Sequence, residues 1–501
     1  MSERVYLSKS RYCEFRQCPR AAWLRLHRPE ILKESEDALA RMRTGNEVGD
    51  LARGLFGPYV NVTVRTEDAL DLAAMVEETR REMEKGTPVI CEASFSHDGL
   101  YCAVDLLRRE DTGWAVYEVK SSTSPDSPRY LDDVSYQRYV LEKCGVKVTG
   151  VYLVCLESTY VYDGSLDIHR LFRITDMTEA AAAKAREVEE QILLAREILS
   201  SDVEPEIDLS EACLKDGGCP CWGHCAEHVC SPSVFDLYRL AGKKKMQYYH
   251  DGLSSFAALR KAGVKLNEKQ DRQIAYALED MGDHTEPEKI RGFLEGLRYP
   301  LYFLDFETFA PAVPRFFGTK PYTQVPFQYS LHVIRAEGEE PEHLEFLAEP
   351  EGDPRRALAE RLCRDIPMGA CVTAYNKSFE CGRIGELAEL YPDLREHLLD
   401  IQGNISDLLI PFQSGWYYNR AMGGSFSIKS VLPALYPNDP DLDYHNLEDV
   451  HHGGEASEAF AGMAEMEPEE RARIRKNLLR YCGLDTYAMV KVWEKLREAA
   501  C

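Results

Sequence analysis

The sequence predicts a mixed α/β protein of more than one domain, on three observations. Short apolar runs of strand length alternate with longer stretches of helical period, the order that builds sheets covered by helices. The chain has 501 residues, which exceeds one core at roughly 100–200 residues per domain. Apolar residues make up 44% and charged residues 29%, ordinary globular usage that excludes wholesale disorder. No apolar run reaches the roughly 18 residues of a membrane span. Residues 1–15 contain no apolar core of a signal peptide, so a cytoplasmic setting is expected.

The elements follow in order through three zones, 1–230, 231–296 and 297–501. Residues 5–28 read as a helix start, with Ser8 and Ser10 as candidate N-caps before Tyr12, Phe15, Ala22 and Trp23. Residues 69–85 carry a second helical pattern. Residues 88–95, 99–107 and 115–120 read as strands, the last two joined by hairpin chemistry at 108–113. Residues 131–143 and 178–199 read as helices, with a strand at 150–157 between them. Residues 231–296, including Lys243, Lys244 and Lys245, read as a helical connector. The third zone opens with an apolar strand at 300–305. Strands at 328–335 and 344–348, a helix at 355–363 and a fourth strand at 370–375 follow, and the chain from 382 on is mainly helical. Three antiparallel-looking strands, a helix, a strand and then helices is the order of a ribonuclease H-like core.

Lys and Arg number 60 against 84 Asp and Glu, a formal charge of −24. That balance argues against a polycation that coats nucleic acid and leaves room for a local basic groove. One local excess exists: Lys9, Arg11, Arg16, Arg20, Arg25 and Arg28 face a single acid, Glu14. These cations form either phosphate contacts or a solvated helix face.

The first set of chemistry-bearing residues is Asp105, Glu118 and Lys120. Glu118 and Lys120 are two apart and share one face of a strand. A hairpin brings Asp105 beside Glu118, and paired carboxylates bind a hard divalent cation through oxygen. The cation polarises a phosphate and lowers the pKa of a bound water. Lys120 positions that water or stabilises transition-state charge. Glu92 lies on the preceding strand, and Gln137 and Tyr139 lie in the following helix. Acid, Asp, Glu-x-Lys and a helix with Gln and Tyr resemble the PD-(D/E)XK nucleases of the RecB type, over about residues 1–230. The resemblance implies a PD-(D/E)XK nuclease core in which Glu92, Asp105, Glu118 and Lys120 are catalytic and Asp105 and Glu118 hold metal. It places Gln137 near substrate, with Tyr139 as an aromatic partner. The stretch from Gly45 to Gly49 resembles the helix preceding that core.

The second set is cysteines. Cys18 stands near the N-terminus, and Cys213, Cys219, Cys221, Cys225 and Cys230 fall within one short stretch. In a reducing compartment such clusters are metal ligands or free thiols rather than disulfides. Four thiolates suit a structural zinc or an iron–sulfur cluster. RecB-like nucleases of the AddB and CRISPR-adaptation types resemble this layout. The resemblance implies a [4Fe–4S] cluster held by Cys18, Cys213, Cys219 and Cys225, with Cys13, Cys221 and Cys230 as alternatives. His224 and His228 keep zinc as a competing reading.

The third set is Asp305, Glu307, Glu380, Tyr481 and Asp485. Asp305 and Glu307 share a strand face, and Tyr481 and Asp485, four apart, share a helix face. These pieces resemble the DEDD exonucleases of the DnaQ class, in the subtype with Tyr four before the last Asp. The resemblance implies Mg²⁺ or Mn²⁺ held by Asp305, Glu307, Glu380 and Asp485, with Tyr481 orienting the attacking water. Most relatives have Asp where Glu380 stands, and Asp407 is a second candidate. The stretches 423–435, 453–456 and 481–489 resemble an uncharacterised bacterial domain that carries this core and commonly follows a RecB-like module. The stretch 424–429 either binds phosphate through its backbone N–H groups and Lys429 or is a plain loop before a helix.

Together the resemblances imply a metal-dependent phosphodiester hydrolase with two sites, acting on single-stranded DNA or duplex ends in repair, recombination or defence. The alternatives are a cluster-bearing nucleic-acid sensor with inactive sites and an RNA-directed exonuclease. No membrane partner is expected.

Overall fold

In a computed structural model, residues 5–33, 37–67, 69–214, 218–279 and 281–501 are described. The chain is mixed α/β, as expected. It divides into two compact units. The first is Met1–His228 with Pro311–Thr323, and the second is Val229–Ala310 with Gln324–Cys501.

The first unit is built on one mixed sheet. Its strands run in the spatial order Val60–Asn61, Val89–His97, Leu100–Glu110, Gly113–Lys120, Val148–Leu156 and Phe172–Asp176. Leu7–Ser8 pairs in parallel with Leu100–Tyr101. The hairpin expected at 108–113 is tighter, because the strands run on until Glu110 faces Gly113. The edge strand Phe172–Asp176 was not expected; it is short and half polar, so it carries no apolar run. Helix Pro128–Lys143 buries Val134, Tyr136, Val140 and Leu141 against the sheet. The helix expected over 178–199 is two, Thr178–Ala183 and Ala185–Leu199.

The helix expected from residue 5 onward is likewise two, Lys9–Gln17 and Pro19–His27. Proline lacks an N–H and cannot continue a helix, but it suits the first helical position. Cys18 therefore adopts extended backbone and caps the second helix, its sulfur accepting from the Ala21 N–H at 3.4 Å. Ser8 caps the first helix.

In the second unit the helices of the 231–296 zone enclose a small core of Val234, Leu237, Phe256, Leu259 and Ile274. A five-stranded sheet follows, in the order Glu342–Leu347, Val325–Ile334, Leu301–Phe309, Cys371–Ala374 and Ile405–Asp407. The first two pairings are antiparallel and the last two parallel. Strand Ile405–Asp407 was not expected; three residues are too few to show an alternation. The apolar strand Leu301–Phe309 is central, and its parallel neighbour is last in register at Phe303. Asp305 and Glu307 thus lie just past the point where one flank of the strand opens. Helix Pro468–Ala499 crosses the sheet. It is anchored by the Gln328 amide donating to the Leu478 carbonyl at 2.8 Å and by the Ser330 and Thr486 hydroxyls at 2.6 Å. Among the described residues no helix is long and apolar enough to cross a membrane.

Candidate functional sites

In the first unit, strand register sets Leu106 opposite Tyr117, so Asp105 and Glu118 are the next residues on the two strands. The Val119 N–H donates to Asp105 Oδ2 at 2.6 Å. Glu118 is buried, and its Oε1 receives Lys120 at 2.6 Å and Lys9 at 2.8 Å. Its Oε2 accepts from Gln137. Asp133 closes the network, 2.5 Å from Lys120 and 3.4 Å from Lys9. Burial alone would raise the Glu118 carboxyl, but Lys120 and Lys9 outweigh it and hold the group well below the usual range. Asp105 goes the other way, pushed up to about 7 by burial and by the Glu118 charge.

Glu92 sits at φ +58°, a left-handed conformation inside a strand, and Arg53 approaches it at 3.4 Å. Such backbone is costly for a non-glycine residue. Glu92, Asp105, Arg53, Asn46 and Gly49 line one cavity of about 660 Å³. Asp105, Glu118, Lys120 and Gln137 are therefore brought together, with Glu92 sharing the cavity of Asp105. Tyr139 is not: its hydroxyl donates to Glu189 at 3.1 Å. Sequence reading missed Lys9 and Asp133. Asp133 stands four before Gln137 on the same helix face, a signal that was available; Lys9 is 109 residues from its partner and gave none.

Five of the six cations of the basic stretch form ion pairs within the unit, Lys9 with Glu118 among them, while Arg11 donates to the Tyr6 carbonyl. Arg16 meets Glu187 at 2.5 Å, Arg20 meets Glu204 at 2.6 Å, Arg25 meets Glu14 at 2.6 Å and Arg28 meets Glu30 at 2.5 Å. Of the two readings of this stretch, a bare phosphate-binding face is not what the fold builds.

The cysteines Cys18, Cys219, Cys221 and Cys225 pack against one core. Burial raises the Cys18 thiol, and neighbouring Cys213 and Cys219 add to it. Cys225 is pushed up to about 11 by burial, with contributions from Cys219, Cys18 and Cys213. Cys219 is pulled down to about 6 by the neighbouring Cys221 thiol. The four expected ligands and the alternative Cys221 thus stand together. Cys13 instead faces Asp133, Lys9 and Lys120, and Cys230 belongs to the second unit. His224 is held by the Glu204 carboxylate at 3.0 and 3.1 Å.

In the second unit Asp305 and Glu307 lie on the central strand, Glu380 on helix Ser378–Leu390 and Asp485 on helix Pro468–Ala499. Burial raises the proton affinity of all four. For Asp305 and Glu307 the charges of Asp485 and Glu380 add to it. Glu380 reaches about 8 and Asp485 about 6. Glu380 Oε2 is buried without a partner. Asp407, the second candidate, is instead occupied: it accepts from the N–H groups of Asn376 and Leu409, each at 2.9 Å, and from that of Lys377 at 3.3 Å. It pins the entry to the helix that carries Glu380.

Tyr444 donates to Asp485 Oδ1 at 2.7 Å, and Tyr481, one helical turn before Asp485 on the same helix, accepts from Lys429 at 3.4 Å. Cys482, fully buried, completes the one group of three among the described residues whose potential ligand atoms lie within 4.8 Å of one another, with Asp305 and Glu307. Gly453 passes so close that a Cβ there would stand 3.5 Å from Glu307 Oε2. Tyr444 and Cys482 had no signal of their own, since neither stands at a spacing that marks it.

Residues 302–427 match a family described as a domain of unknown function, DUF2779. The match takes in Asp305, Glu307, Glu380 and Asp407 and stops before Lys429, Tyr481 and Asp485. No curated protein and no solved structure matches the chain.

Proposed function

We propose that the chain is a metal-dependent nuclease, a phosphodiester hydrolase with two sites that acts on DNA as single strands or at duplex ends. The reading is carried by Asp305 and Glu307, whose oxygens lie within 4.8 Å of each other, by the charges of Asp485 and Glu380 that add to burial in raising their proton affinity, and by Glu380 Oε2, left without a partner. Buried carboxylates of one sign are costly unless a cation joins them, so the donor set fits Mg²⁺ or Mn²⁺. The four would hold the ions, which when bound supply activation of water and neutralisation of the leaving 3′ oxygen. Tyr481, one helical turn before Asp485 on the same helix, orients the attacking water. Tyr444 holds Asp485 in place. The sheet order agrees with a ribonuclease H-like core.

The first unit supports a PD-(D/E)XK reading through Asp105 at the cavity wall and Glu118 with Lys120 beside it. Both Glu118 oxygens are engaged, so a cation binding there displaces Lys9 or Lys120. Cys18, Cys213, Cys219 and Cys225 are the proposed thiolates of a [4Fe–4S] cluster, with Cys221 beside them. The cluster would tie the N-terminal helices to the segment after the sheet. Sixteen cysteines, all free, fit a cytoplasmic setting.

The test is degradation of end-labelled single-stranded DNA and RNA with Mn²⁺ by wild type, Asp105→Ala, Asp305→Ala and the double variant. Each single variant is expected to keep part of the cutting and the double variant none. Degradation that persists in the double variant refutes both site assignments. A wild type that cuts neither polymer favours a binding protein with inactive sites. Cutting confined to RNA moves the substrate class. Anaerobically purified protein is expected to absorb broadly near roughly 400 nm and to lose that band in Cys18→Ser. A colourless protein with stoichiometric zinc refutes the cluster.

A further inference from the structure

Lys429 lies in the first turn of helix Ile428–Leu435, and its side chain is exposed. Its ammonium stands 3.4 Å from the Tyr481 hydroxyl and 3.2 Å from the His451 carbonyl. It also lies over the rings of Tyr444 and Tyr481, 5.2 and 5.4 Å from their centres. Tyr444, which donates to Asp485, and Tyr481 thus cradle one cation at the solvent side of a site made of acids. Asp305, Glu307 and Asp485 all feel its charge. Its hydrogen-bond partners are that hydroxyl and that carbonyl, and no carboxylate lies within ion-pair distance of it among the described residues.

Charge counting gives this cation a task. Two divalent ions, when bound, would balance the charge of four carboxylates. A scissile phosphodiester brings one further negative charge, and attack by water at phosphorus builds another. Arg383 also acts on Glu380, but it is paired with Glu386 at 2.5 Å. We propose that Lys429 is a catalytic residue of this site: its ammonium donates to a non-bridging oxygen of the scissile phosphate and stabilises the charge that grows during attack. The lysine forms no covalent bond; the water oxygen bonds to phosphorus and gives its proton to solvent as the bond to the 3′ oxygen breaks, and the departing 3′ oxygen takes a proton from solvent. This inference rests on the nuclease reading of the site.

Because the charge grows on the way to the transition state, the contact acts on turnover more than on binding. The test is turnover of end-labelled single-stranded DNA with Mn²⁺ in an Asp105→Ala background, which leaves only the second site. Lys429→Met is expected to lower kcat by about 100-fold and to shift KM by less than about threefold. Lys429→Arg is expected to recover part of the loss. Melting curves should match the parent, since the side chain is exposed. A Lys429→Met kcat within about threefold of the parent, or a loss confined to KM, overturns the inference. An Asp105→Ala parent that cuts nothing while wild type cuts overturns instead the nuclease reading of the second site.

Discussion

At the scale of single residues, Asp305 is a charge in a site that already holds too many. Converting it to Asn removes repulsion from Glu307, Glu380 and Asp485 and keeps the shape. In EDTA, Asp305→Asn is expected to melt above wild type, because a buried uncompensated charge is lost. Mn²⁺ is expected to raise the wild-type melting temperature by mass action and the variant's much less. A variant that melts lower in EDTA and keeps the full Mn²⁺ response would contradict the crowding argument. His332 makes a second prediction. It is buried and pushed down to about 3, first by burial and then by neighbouring His343, with Nδ1 2.8 Å from the Thr486 hydroxyl. The folded value lies below the ordinary 6.5. The stability that a neutral His332 supports is therefore complete above pH 6.5 and is lost as pH falls toward 3. The full span is on the order of 5 kcal/mol. Melting temperature should fall between pH 7 and pH 4, and less steeply in His332→Gln; equal slopes would exclude His332 as the cause.

At the scale of elements, the turn before helix Ile428–Leu435 sets where Lys429 stands. Gly424 has φ +82°, and a Cβ there would meet Gln273 Cδ at 2.5 Å. Gln273 cannot yield cheaply, since its amide donates to the carbonyls of Gly423 at 2.6 Å and Asp236 at 2.8 Å. Gly424→Ala is expected to cost about 3 kcal/mol from strain and overlap and to lower cutting with it. Gly423 has φ +57° but open space, so Gly423→Ala should cost only about 1 kcal/mol. Chemical denaturation of the two variants measures the difference, and equal costs would contradict the role of Gln273. Element types were legible where period and breakers agree: the strands bearing Asp105, Glu118 and Asp305, and the helices bearing Gln137 and Asp485. They were not legible where an element is too short to show a period, as at Ile405–Asp407. The split at Cys18 was readable from Pro19 alone, and the single helix expected there overlooked it.

At the scale of the whole molecule, the first unit borrows Pro311–Thr323 from between two strands of the second. Ala312 and Val313 are buried in the core that holds Val48, Val89 and Leu106. Gly318 and Thr319 exchange backbone hydrogen bonds with Tyr162: the Gly318 N–H reaches the Tyr162 carbonyl and the Tyr162 N–H reaches the Thr319 carbonyl, each at 2.9 Å. A fragment ending at residue 228 should therefore melt below the first transition of the full chain, and a peptide of residues 311–323 should raise it. A fragment as stable as the full chain's first transition would show that the segment adds nothing. Local pattern does not reveal such a loan, because the segment has no strand or helix of its own and its partners lie more than a hundred residues away. By itself the sequence determined the α/β class and which acids pair by spacing, Asp305 with Glu307 and Tyr481 with Asp485, because strand and helix periods are local. Only the tertiary structure decided that Lys9 and Asp133 close on Glu118, that Asp407 caps backbone while Glu380 stays unpartnered, and that Lys429 meets Tyr481. Those outcomes depend on which distant groups share a buried space, and burial makes each unpaired charge costly enough to matter.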